Sequence, residues 1–120
     1  MTDIKSTIII SSPPFGSVAG KEGVDLALVC AAFDHQVNLV FVADGVLHLK
    51  NNQDEAYFDD KFHDLQLKAL EFYDVEQVHV EQESMQVFNF TAADLIENVT
   101  IDSREKIKEL VQQSSHTVTF

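Results

Sequence analysis

One cysteine, five histidines and a glycine–lysine turn are the features of this 120-residue chain best suited to chemistry. Cys30 could act as a nucleophile only as a thiolate. A free thiol titrates near about 8.5 unless a helix N-terminus or a cation lowers it. Neither is at hand, because Cys30 lies deep in the apolar stretch VDLALVCAAF, between Val29 and Ala31, with Asp34 one turn on. It reads as a small buried core residue. His35, His48, His63, His79 and His116 stand far apart, without metal-ligand spacing or cysteine partners. The adjacent His63 and Asp64 read as a solvated pair.

The turn Gly16-Ser17-Val18-Ala19-Gly20-Lys21 looks like a phosphate loop but has three residues between its glycines where four are required. Glu22 stands where a Ser or Thr would reach magnesium, and a carboxylate there repels a triphosphate. Gly16, Gly20 and Gly23 also miss the dinucleotide spacing. The glycines are therefore expected to serve tight turning and close helix approach. Asp44 ends the second strand at the edge where α/β proteins hold ligands, but Asp44-Gly45 is also ordinary turn chemistry. No cofactor and no metal site follows from these residues.

The elements that must position them alternate. Residues 6–11 and 37–43 hold successive apolar residues, Ile8 to Ile10 and Leu39 to Ala43, as in strands covered on both faces of a parallel sheet. Residues 75–80 alternate, and residues 98–101 and 116–120 are short β-prone segments. Helical periods occupy residues 19–34, 58–73 and 103–113. In the second, Phe58, Phe62, Leu65, Ala69 and Phe72 form one stripe. Asp102 with Glu105, and Thr91 with Asp94, have capping-box spacing, the latter opening a short turn at residues 91–97. This alternation predicts one α/β domain over residues 1–120: a three-layer α/β/α sandwich on a five-stranded, mainly parallel sheet.

The charge is −12, with ten acidic residues and only Lys61 and Lys68 between Asp54 and Glu83. Without a basic patch the chain is not expected to bind nucleic acid directly. The acidity is read as a solvated face, or else as a surface selecting basic partners. No run of 18 apolar residues offers a membrane span, and MTDIKSTIII lacks a signal-peptide pattern. A lone cysteine suits a reducing compartment, so a cytoplasmic location is expected. The helix from Val24 onward is apolar on every side except at Asp25, which predicts burial by another subunit. Phe15, in the turn before it, could anchor a partner. The candidate partner contacts are Phe15, Val24, Leu28 and Asp44.

The blocks PPFGSVAGKEGVDLAL, VFVADGVLHL and ALEFYDVEQVHV, in this order and spacing, resemble the TusC family, called DsrF in sulfur-oxidising bacteria. The resemblance runs from about Thr7 to Val80, and the strand ending in Phe120 fits it. It implies a DsrE-like fold with five parallel strands, and a place in a cytoplasmic heterohexamer, two copies of a three-subunit unit with TusB-like and TusD-like siblings. That complex relays persulfide sulfur toward 2-thiouridine at the tRNA wobble position, or serves sulfur oxidation. The sulfur rides on a sibling cysteine that follows the third strand. The matching place here reads Val80-Glu81-Gln82-Glu83, without a thiol and with carboxylates that would raise the pKa of one nearby. The resemblance therefore implies an assembly subunit without catalysis of its own. The alternative is a homo-oligomeric DsrE-like protein handling small thiols or persulfides through Cys30, and isolated chains could self-associate. A flavodoxin-like or receiver-type domain holding a ligand near Ser12 and Asp44 is a weaker reading, since it lacks the phosphate loop or acidic cluster.

Overall fold

In a computed structural model the chain is described over residues 5–14, 16, 18–33, 35–50, 77–96 and 98–120. Strand β1 is Lys5–Ile10, helix α1 Ala19–Ala32 and strand β2 Gln36–Phe41. A 3₁₀ helix follows over Ala43–Leu49. Strand β3 is Gln77–Glu81 and runs directly into helix α2, Gln82–Val87. A second 3₁₀ turn, Ala92–Asp94, precedes strand β4 (Thr100–Asp102), helix α3 (Arg104–Gln112) and strand β5 (His116–Thr119). The helix expected over residues 58–73 lies outside the described residues. No helix among the described residues is long and apolar enough to cross a membrane.

The sheet has the order β4-β3-β2-β1-β5 and every pairing is parallel. Steps from β1 to β4 move in one direction, and the return to β5 moves in the other. Right-handed crossovers therefore place α1 and α3 on opposite faces, which makes the three layers. Side chains follow the period of two. Ile8, Ile10, Leu39, Phe41, Val78 and Val80 share one core with Val24 and Ala27 of α1. The opposite face carries the row Ile9, Val40, His79 and Thr100 across four strands. That face is more polar, and α3 contributes just one buried side chain to it, Ile107.

Helix α1 turns small residues to the sheet: Gly20, Gly23, Val24 and Ala27 are its buried positions. A Cβ at Gly23 would lie 3.2 Å from the Ile10 side chain. The glycines thus bring helix and strand together, as expected. At Gly20 the neighbour is the His48 ring, 2.5 Å from where a Cβ would stand. That ring is buried, donates from Nε2 to the Ser12 carbonyl at 2.9 Å, and tilts against Phe41. His48 is a structural tie between the glycine turn and the 3₁₀ helix.

Three boundaries differ from the sequence reading. Asp44-Gly45 opens a 3₁₀ helix instead of a simple turn. Helix α2 follows β3 at once, where the sequence reading assigned no element. The cap of α3 is Ser103, whose hydroxyl accepts from the Lys106 N–H at 3.3 Å, and not Asp102. Asp102 is unavailable as a cap because its carboxylate is paired with Nδ1 of His79. The Thr91–Asp94 capping box is present with both reciprocal bonds.

Candidate functional site

Strands β2 and β3 deliver Val42, Ala43 and Glu81 to the carboxyl edge of the sheet, where α2 and α3 stand on either side. Between them opens a cavity of about 750 Å³. Its centre is a hydrogen-bonded cluster. Glu81 is buried and accepts from Arg104 twice, from Nη2 at 3.2 Å and Nε at 3.3 Å. The Ser84 hydroxyl donates to the same carboxylate at 2.6 Å and accepts the Ala43 N–H at 2.8 Å. Ala43 has a φ of 50°, a left-handed conformation costing a non-glycine residue about 1 kcal/mol. The bond to Ser84 holds it there. Glu83 accepts the Arg104 backbone N–H at 3.0 Å, placing a carboxylate at the start of α3, where the helix dipole favours it.

Burial disfavours the Glu81 charge, but the hydrogen bonds from Arg104 and Ser84 and the Arg104 charge outweigh it, so the carboxyl titrates below its ordinary value of 4.5. The Arg104 guanidinium is raised in return, chiefly by its bond to Glu81. A carboxyl depressed in the folded state stabilises the fold at pH above its unfolded value and ceases to do so as pH falls through the folded one. The cluster's contribution should therefore be complete at neutral pH and vanish in acid below 4.5. Thermal melts of Glu81→Gln should show a loss of about 1 kcal/mol at neutral pH, shrinking toward nothing as the pH is lowered.

This arrangement locks its groups instead of activating them. A nucleophile needs an adjacent base, whereas Ser84 gives its proton to a carboxylate already held by arginine. Among the described residues lining the cavity, none is cysteine or histidine. Glu81, Ser84 and Arg104 were missed by sequence reasoning. The Glu-x-x-Ser spacing directly after a strand was the available signal, but it required knowing that α2 starts at once.

The expected site residues scatter. Cys30 is half-buried against the core in the last turn of α1. Since α1 runs antiparallel to the strands, that turn lies at the amino edge of the sheet, opposite the cavity. Val24 has no exposed surface and packs inside its own domain, so it is not a surface contact. Its position points to the sheet because 20, 23, 24 and 27 form one helical face. Leu28 is half-buried against the same core. The outward apolar residues are Val29, 54% exposed, and Phe33, 73% exposed. Asp44 is exposed on the cavity rim. Phe15 and the His63-Asp64 pair lie outside the described residues. His35 and His116 are exposed, and His79 is buried beside Asp102 with Nε2 unpartnered.

Residues 5–120 match the DsrE/DsrF-like family. A protein named TusC homolog from Vibrio parahaemolyticus is 35% identical over 114 residues, covering 95% of this chain and 97% of that protein. One of the same name from Pasteurella multocida is 31% identical over 98% and 100%. The intracellular sulfur oxidation protein DsrF of Allochromatium vinosum is 31% identical over 70% of this chain and 62% of its own length. Among solved structures, the ychN protein from E. coli superposes with a TM-score of 0.84 at 17% identity, over 98% of this chain and 99% of that one. With its five parallel strands between helices and this match over nearly the whole chain, the protein belongs to the DsrE/DsrF-like family.

Proposed function

We propose that this chain is a non-catalytic assembly subunit of a cytoplasmic sulfur-relay complex, one that passes persulfide sulfur toward 2-thiouridine at the tRNA wobble position. The observation that carries the reading is the end of β3. Where the resemblance places a sibling's sulfur-bearing cysteine, this chain has the Glu81–Ser84–Arg104 cluster. That position holds a carboxylate tied to Arg104 and Ser84, and offers no thiol to accept sulfur. Cys30 stands in the last turn of α1, at the other end of the sheet from that cluster, half-buried against the core. Near-complete correspondence with proteins named TusC homolog supports the relay reading, and the match to DsrF keeps sulfur oxidation as its other form.

The siblings are expected to cover the outward ridge of α1. Val29 and Phe33, at i and i+4, stand outward there, with half-buried Leu26 and Cys30 beside them. Co-expression with the TusB-like and TusD-like siblings, followed by native mass spectrometry, tests the assembly. The expected species holds two copies of each of three chains. A chain that stays alone in their presence contradicts it.

A further inference from the structure

The groove between α2 and α3 offers more than a locked cluster. Ile9 belongs to β1, a strand paired on both sides, yet it is not fully buried, because α3 leaves part of that face open. Ile9, Val42 and Ile107 make an apolar floor. Charge is unevenly placed along it. Asp44, Glu81 and Glu83 gather at the end where α3 begins. Lys108 and Gln112 project from the same wall, one and two turns further on. Three of the chain's eight basic residues fall within Arg104–Lys108. Arg104 spends Nε and Nη2 on Glu81, which leaves Lys108 as the cation facing the groove without an acidic partner among the described residues.

We propose that this groove binds an extended segment of a partner protein. The segment seats an apolar side chain on the floor, turns a cation toward Asp44 and Glu83, and turns a carboxylate toward Lys108. The wall from Arg104 to Gln112 rises about 12 Å, the span of three to four extended residues at about 3.4 Å each. The cavity volume lies within the range of ligand sites. Aligned opposite charges at the two ends also fix the direction of the segment. This site does not depend on the relay reading, since it rests on the groove alone.

The test is a titration of the full chain, followed by amide NMR, with the end-blocked tetrapeptide Lys-Leu-Leu-Asp. Shifts are expected at Val42, Val87, Ile107 and Lys108, with a Kd near about 1 mM. The uncharged counterpart Gln-Leu-Leu-Asn should bind about fivefold more weakly. Lys108→Glu should weaken the charged peptide by a similar factor and leave the neutral one unchanged. Val87→Asp, at a position 76% exposed and so harmless to folding, should weaken both. Equal affinity for the two peptides, shifts confined to another surface, or no shifts at all would overturn the proposal.

Discussion

Gly45→Ala costs about 3 kcal/mol or more, a large loss for one added methyl. The added methyl has no free volume to enter. Gly45 lies against the end of β1, and its Cβ would overlap the Ile10 carbonyl oxygen, with the Ser11 nitrogen 3.3 Å away. These are backbone atoms, so no rotamer change relieves the clash. The Ile10 carbonyl also accepts the Val42 N–H at 3.0 Å, and Gly45 donates to Val42 at 2.9 Å. Shifting one strand end therefore disturbs both. For a domain with about 5–15 kcal/mol of total stability, the thermal midpoint should drop by at least about 10 °C. Gly16→Ala is the internal control. Its φ is 71°, but nothing lies within 4 Å of a Cβ there, so it should lose about 1 kcal/mol. Equal losses at the two positions would show that close approach is not what Gly45 provides.

Replacing Val29 and Phe33 together by aspartate should abolish co-purification with the sibling subunits and leave the isolated domain folded. Both side chains are more than half exposed in the single chain, so their removal takes little from its core, and surface changes usually stay within about 0.5 kcal/mol. At an interface the arithmetic reverses. Anchoring apolar residues are worth about 2 kcal/mol each or more, and two buried carboxylates add a desolvation penalty. A loss of about 1,000-fold in affinity follows. Native mass spectrometry reads the assembly, and circular dichroism melts read the fold. Retention of the complex would place the siblings on another face. Loss of folding would show that this ridge serves the domain itself.

The sheet was legible in the sequence because its signal is local. Ile8-Ile9-Ile10 and Leu39-Val40-Phe41 are apolar on successive residues, a pattern that few elements other than doubly covered strands produce. The blocks around Gly16 and Asp44 carried the family. The details that failed depend on partners distant in sequence. Asp102 has the spacing of a cap, but the neighbouring strand presents His79 to it, and the cap passes to Ser103. Val24 sits in a helix apolar on all sides, and composition alone does not say which side meets the sheet. The small residues Gly20, Gly23 and Ala27 decide it, because they let the axis come close. The Glu81–Arg104 pair joins residues 23 apart and has no local signature. The absence of a thiol after β3 was readable directly; what replaces it was not.

Persulfide loading of the co-expressed complex, followed by peptide mass spectrometry, reads which chain holds the sulfur. Sulfane sulfur is expected on a sibling cysteine and none on Cys30, with transfer unchanged when Cys30 is replaced by serine. A stoichiometric adduct on Cys30 in the folded complex, or transfer lost with Cys30→Ser, would contradict the non-catalytic role and give this chain a chemical part in the relay.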